Sequence, residues 1–416
     1  MHFQHSAITL SRAAILGTSV ALSAASIATA EAPEYTLTLG ALSEDFIGRS
    51  QQYATLGFNG LALSGAFEHG RLSASATLGQ PIYGDADVLL NYDISLALGN
   101  GDWQIGVGKV DRNWSPSQYS SLIMGQNAPA FHSAYLRKSE ASEIDLPVLR
   151  WLGAWDGEFF VGTTEDAGQP SNALIMGMRA RVRPIENLEI DFVRTAQWGG
   201  TGQPNDLETF INILAGRTNS GVASGANQMA GVGISYTLPN LADGTRIYYQ
   251  TIGEDEAGGG PSCLMHMGGV EVNLPLFGVP SQVTLEHTDT RIARTTSGFC
   301  GANTAYNNNT YSYAQNGVVI GSAIDSQSVS TALYVKHQFD DMSVDWSIGH
   351  YLINDQNRAA HRLSSTSAEG FVVSAAVSRE MLGGTLSALI AHQGFDLNTA
   401  GFGSGTRVGV SFQKTF

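Results

Sequence analysis

Apolar and polar positions alternate along most of this chain. In "GTRVGVSFQKTF" (405–416), Val408, Val410, Phe412 and Phe416 share one face, while Arg407, Gly409, Ser411, Gln413 and Thr415 share the other. A period of two marks a strand that meets a different environment on each side. "SVSTALYVKHQF" (328–339) sets Val329, Leu333, Val335 and Phe339 against Ser330, Tyr334, Lys336 and Gln338. "MSVDWSIGHYL" (342–352) sets Val344, Trp346, Ile348 and Leu352 against Ser343, Asp345, Ser347 and Gly349. "DVLLNYDISLAL" (87–98) and "FVVSAAVS" (371–378) read the same way.

Such segments fall near 34–42, 52–67, 70–79, 87–98, 102–111, 146–153, 157–164, 172–183, 187–197, 227–238, 244–253, 264–275, 281–290, 326–339, 342–353, 367–379, 383–394 and 403–416. Those near 34–42 and 146–153 carry the weakest pattern, so sixteen strands is the alternative to eighteen. Links alternate in length. Short ones sit near 99–102, 154–156, 184–187, 239–244, 275–280, 340–341 and 380–384. Long ones run near 112–145, 198–226, 254–263, 291–325 and 354–366. A soluble sandwich alternates too, but short turns at one end and long loops at the other are the outer-membrane signature. The expectation is an all-β, transmembrane, antiparallel outer-membrane β-barrel of eighteen strands. An even count places both chain ends in the periplasm. The face carrying Val344, Trp346 and Ile348 should meet lipid, with Asp345 in the lumen. The last segment should close the barrel, and a final Phe resembles the signal that many such barrels present to their insertion machinery.

The first thirty residues break the pattern. Arg12 is their only charged side chain, an apolar stretch follows, and Ala28-Thr29-Ala30 has the A-x-A form of a cleavage site. Residues 1–30 read as a secretory signal peptide and 31–416 as a single barrel domain. No later run offers the roughly 18 consecutive apolar residues of a helical membrane span. The net charge of −15 argues against a nucleic-acid partner. Two cysteines in an exported chain suggest one disulfide, Cys263–Cys300, since Cys263 just precedes one strand and Cys300 follows the next in the outer loop, both at the outer end of the barrel.

On the inward face, Arg179, Arg181 and Arg183 stand beside Glu189 and Asp191 across a predicted hairpin. A lumen neutralising its own charges explains this row better than an anion-selectivity ladder, because the acidic partners are at hand. "NDLETFINILAGRTN" (205–219) predicts a short helix inside an outer loop. Asp206 and Glu208 suit its start and Gly216 its end. Its stripe of Leu207, Phe210, Ile211 and Leu214 should pack back on the barrel mouth and partly plug it.

Three stretches resemble the Wzi family of capsule-assembly proteins. They are "DRNWSPSQYSSLIMGQNAPAF" (111–131), "FVRTAQWGGTGQP" (192–204), and "LEHTDT" (285–290) followed by "AYNNNTYSYAQNGVVIGSAIDSQS" (305–328). Their order and spacing carry the likeness over about half the chain. Residues 34–80 read as strands where the family's representatives carry periplasmic helices. The resemblance implies an outer-membrane barrel that binds capsular polysaccharide at the cell surface, without enzymatic activity.

The candidate glycan-binding residues are Arg112, Trp114, Tyr119, Arg194, Trp198, Tyr306 and Tyr311, all in or beside outer loops; Tyr313, Arg291 and Arg294 lie close to them in sequence. Aromatic faces can stack on sugar C–H surfaces, and arginine and amide donors can read hydroxyls and carboxylates. Gly199-Gly200 after Trp198 would let the chain turn beneath a ligand. A substrate-selective porin is the alternative reading. Catalysis has little support: no Gly-x-Ser-x-Gly, His-Glu-x-x-His or phosphate loop occurs. The histidines have no metal-ligand spacing, so no metal or cofactor is expected. The expected partners are polysaccharide, outer-membrane lipid and the barrel-insertion machinery.

Overall fold

The computed structural model describes residues 33–47, 60–81, 89–144, 146–218, 221–223, 225–257, 260–293, 300–302 and 304–416. The signal-peptide reading of 1–30, the first part of the segment at 52–67 and Arg294 lie outside these residues. Thirteen strands come first: β1 (Glu34–Leu42), β2 (Gly60–His69), β3 (Leu72–Pro81), β4 (Leu89–Leu98), β5 (Trp103–Lys109), β6 (His132–Glu143), β7 (Ala154–Thr164), β8 (Ala173–Arg183), β9 (Leu188–Trp198), β10 (Asn227–Leu238), β11 (Thr245–Ala257), β12 (Gly260–Leu276) and β13 (Val279–Asp289). A small hairpin, β14 (Ala314–Gln315) and β15 (Val318–Val319), follows in an outer loop. The last five are β16 (Val329–Gln338), β17 (Met342–Ile353), β18 (Ala368–Met381), β19 (Gly384–Gln393) and β20 (Gly405–Thr415). Among the described residues one α-helix, α1 (Leu207–Leu214), interrupts the loop after β9.

All strands but β14 and β15 join one 18-stranded sheet of sequential antiparallel neighbours. The sheet closes at β1, which pairs with β20 from Thr36↔Thr415 to Leu42↔Gly409 and with β2 from Glu34↔Ala66 to Gly40↔Gly60. Closure meets every strand's backbone hydrogen bonds within the sheet, as a bilayer interior demands.

The faces fall as the alternation requires. Leu63, Ile94, Ile105, Ile348, Val408 and Val410 are exposed on the outer wall, while Arg407, Ser411 and Ser347 are buried inside. Histidines mark both edges of this apolar band. His132, His266, His287, His350 and His392 face outward near the outer strand ends, and His69 and His337 near the periplasmic ends. Tyr92 pairs with His132 at 2.9 Å, and the Trp346 indole donates to His337 at 3.1 Å. Trp346 therefore sits at the periplasmic edge, and Ile348 lies deeper in the band.

One strand differs from expectation. Residues 150–152 form a 3-10 turn in a periplasmic link, and the strand is β6, at Glu143 and before. Only Ala134 and Leu136 mark the lipid face of β6 before Lys138, Glu140 and Glu143 give it the look of a loop. The link "LPVLRWL" (146–152) is apolar because it lies at the membrane boundary, where Val148 and Trp151 stay exposed. The outer loop expected at 112–145 accordingly ends at Phe131.

Ile348→Arg should cost about 2–4 kcal/mol in reversible unfolding from lipid vesicles. Ser343→Arg, on the lumen face of the same strand, should cost far less. Equal costs would mean the faces are assigned the wrong way round.

Candidate functional site

The periplasmic half of the lumen is a charge lattice. Register places Arg181 opposite Asp156 of β7 and Asp191 of β9. Arg179 binds Asp191 at 2.8 Å, Arg183 binds Glu189 at 2.8 Å and Asp156 at 2.9 Å, and Arg181 reaches Asp156 at 3.3 Å. Above them Arg112 binds Glu158 at 2.7 Å, with both side chains nearly sealed from solvent. Each cation has its anion, so the row is self-neutralised.

The outer half is filled with apolar side chains. The loop after β5 dives into the barrel and brings Trp114, Leu122, Ile123 and Met124 against wall residues Phe160, Ile175, Met229, Ile252, Met265 and Met267. The loop between β13 and β16 adds Ala305, Tyr306, Tyr313, Val319 and Ile320 to the same core. An eighteen-stranded barrel is too wide for its own side chains to fill; the loops supply the missing volume. Hydrogen bonds fix the plug to the wall. Gln250 of β11 accepts from the Leu122 N–H at 3.0 Å and donates to the Trp114 carbonyl at 2.7 Å. Tyr306 donates to the Leu122 carbonyl at 2.8 Å, and Tyr313 to that of Ile123 at 2.7 Å. Buried Glu286 accepts from Tyr248 at 2.7 Å and also from the Ser117 hydroxyl.

The seven candidate residues occupy four places. Arg112 and Trp114 lie within the plug, and Arg112 stacks over Phe160 at 4.2 Å. Tyr119 lies deeper, ring to ring with Tyr334 at 3.8 Å and 5°. Tyr306 and Tyr311 are buried in the upper loop, where Tyr311 donates to the Gly199 carbonyl at 2.9 Å. Burial pushes the Tyr311 phenol up to about 12, so it remains a neutral donor at pH 7. Arg194 and Trp198 face outward on β9, beneath α1. Gly199 and Gly200 do make the turn, with φ of 65° and 85°. None of the five aromatic or two arginine side chains stands as an open platform. Apolar surface this large is worth more packed in the lumen than left in water.

The helix α1 forms where its caps predict: Asp206 accepts from the Thr209 N–H at 2.8 Å. Its orientation corrects the sequence reading. Phe210 and Ile213 pack on Trp198, Met176 and Ala196 of the outer wall, so the helix covers the barrel's outside and does not plug its mouth. Leu207, Ile211 and Leu214 remain exposed.

On the upper surface the sequence reading named Arg291 but missed Arg358 and Arg362. The loops 290–328 and 354–367 meet there. Arg362 binds Asp325 at 2.9 Å and clamps the Tyr306 carbonyl, Asn307 and Ser312. Arg358 donates to the Ala302 carbonyl at 3.1 Å, and Arg291 bridges Asp289 at 2.6 Å and Asp355 at 4.0 Å. Asn308, Asn309, Gln356 and Asn357 are exposed on this ceiling. The disulfide Cys263–Cys300 ties the same loop to β12, with Cα atoms 5.4 Å apart. Among the described residues, no group of three or more His, Cys, Asp or Glu side chains is placed to hold a metal ion.

Fold and site together define an outer-membrane β-barrel whose own loops fill its outer lumen. The chain belongs to the capsule assembly protein Wzi family, whose pattern matches residues 92–369. The outer-membrane protein Wzi of Escherichia coli, a carbohydrate-binding β-barrel involved in group 1 capsule assembly, superposes with a TM-score of 0.75 at 20% identity, over 92% of this chain and 84% of that one. OprD of Pseudomonas aeruginosa superposes with a TM-score of 0.56 at 9% identity, over 92% and 93% of the two chains. At such identities these are likenesses of fold. An uncharacterized 55.8 kDa protein in the cps region of Klebsiella pneumoniae is 31% identical over 169 residues, 40% of this chain and 34% of that relative. The match thus spans about a third of that protein's length.

Two outcomes follow. A Cβ at position 177 would stand 2.2 Å from Phe160 and 2.7 Å from Trp114. Gly177→Ala should therefore destabilise the folded barrel by about 1–3 kcal/mol through overpacking, read as a lower midpoint in urea. Replacing Cys263 and Cys300 together by Ser should cost roughly 3–4 kcal/mol in the chain-entropy model. That loss should appear as faster proteolysis of the 290–328 loop, with no change if the bridge carries no load.

Proposed function

We propose that this chain holds a surface polysaccharide on its outer ceiling and so aids capsule assembly or attachment, as a binding protein and not an enzyme. The observation that supports this most is the distribution of side chains across the outer loops. Trp114, Tyr306 and Tyr313 are packed into the lumen, and arginines and amides lie on the face above it. Arg291 with Asn308, Asn309, Gln356 and Asn357 offers donors and acceptors suited to sugar hydroxyls and carboxylates. Family membership and the carbohydrate-binding Escherichia coli Wzi agree with this reading. Arg112, Trp114, Tyr119, Tyr306 and Tyr311 serve it from below, as the frame that keeps the ceiling rigid; Arg194 and Trp198 steady its flank through α1. Outer-membrane lipid and the barrel-insertion machinery are the other partners in this reading.

Arg291→Ala combined with Asn308→Ala and Asn309→Ala should reduce retention of capsular polymer on cells severalfold. Heat-modifiable migration of the barrel should not change. Full retention by a normally folded variant would remove the ceiling from the binding site. In planar bilayers the wild type should show no large conductance steps; large steps would instead support a substrate-selective porin.

A further inference from the structure

The outer wall beneath α1 carries a feature that polysaccharide binding does not use. The helix rests on outward-facing residues, so it lies outside the barrel at the outer end of β8, β9 and β10. Arg194 fixes its last turn by donating to the Leu214 carbonyl at 3.0 Å and to the Ile213 carbonyl. Leu207, Ile211 and Leu214, spaced i, i+4 and i+7, form one apolar stripe that is 71%, 53% and 42% exposed. The stripe points away from the wall, and an exposed helical face of this kind suits the boundary of a membrane.

Below the helix, toward the periplasm, the wall is recessed. Ala180 and Ala230 are small, and Met178, Phe192, Val232 and Leu264 stand around them. The result is an apolar groove of about 620 Å³ with Arg194 at its upper edge. That size falls among sites for small ligands, about 300–1,000 Å³. The groove is continuous with the apolar band that meets the bilayer, and Arg194 at its upper edge joins it to the last turn of α1.

We propose that this groove seats an acyl chain of an outer-leaflet glycolipid, with α1 as an overhang whose apolar stripe enters the same leaflet. The location selects this occupant. The groove opens sideways into the lipid-facing band, just below α1 and at mid-strand in β8 and β9, where a hydrocarbon chain and not a soluble partner lies alongside it. Small wall residues make the recess, and the helix holds a chain at the point where it leaves the hydrocarbon. The site is separate from the ceiling, so its occupancy and polymer binding can be measured independently.

The test uses the full chain, extracted from outer membranes in mild detergent, with retained lipid counted by native mass spectrometry. The wild type should retain one acylated glycolipid that excess phospholipid does not displace. Ala230→Trp, which fills the groove on the lipid face, should lower retention at least about fivefold. Ile211→Ser with Leu214→Ser should speed release. Polymer binding by both variants should match the wild type. Equal retention in all three proteins would overturn the proposal, as would ready displacement by phospholipid. So would a dimer of the wild type that Ile211→Ser with Leu214→Ser breaks, since the stripe would then serve a second copy of the chain.

Discussion

The rest of this molecule depends on a seam. In hydrocarbon every backbone donor and acceptor must find its partner within the protein, and a sheet achieves that only by closing. Here β1 closes it by pairing with β2 on one side and β20 on the other. Closure at eighteen strands then dictates the remainder. Alternate residues must face lipid and be apolar. The others face a lumen too wide to be filled by wall side chains. The chain's need for a packed core is therefore met by loops that return into the barrel.

The lumen accommodates two kinds of filling, at different depths. Toward the periplasm, arginines and carboxylates alternate across neighbouring strands. Arg181 sits between Asp156 and Asp191 in register, so each charge stands beside its opposite. Toward the outside, the plug meets Phe160, Ile175, Ile252 and Met265, and the chain uses apolar contact. The Arg112–Glu158 pair stands between the two zones. Removing Glu158 would leave Arg112 buried without its carboxylate, which costs more than the pair contributes, whereas Glu158 keeps Arg137 as a second partner at 3.3 Å. It also couples the plug's entry to strand β7, so the loop after β5 leaves the wall at one fixed point.

Much of this was legible in the sequence. Where lipid demands an apolar residue at every second position, the pattern shows, as in 342–352 and 405–416. It fails at β6, whose lipid face is short and whose polar residues crowd its periplasmic end, while the apolar link after it imitates a strand. The helix α1 was readable from Asp206 and Gly216, but its orientation was not. Phe210 and Ile213 turn inward because Trp198 and Met176 of the outer wall need a cover, and nothing local to the helix records that need. The packing of the aromatic candidates was hidden for a related reason. An aromatic residue amid Asn, Ser and Gly looks the same whether it awaits a sugar or fills a lumen. Only the register of Ile175 and Ile252 toward the inside shows which.

The packing of those aromatics bears on how the outer face can act. A ceiling held from below by Tyr306, Tyr313 and the Arg362 clamp is fixed before any ligand arrives, so little ordering cost falls on binding. Its exposed groups are hydrogen-bonding ones, which exchange with water and, in the proposed function, would give modest affinity per sugar. A polymer offers the same unit many times, and repeated weak contacts along it add through effective concentration. On this reading rigidity and weakness work together: the surface holds a long chain firmly as a whole, while each unit remains free to leave and let the polymer be extended or passed along.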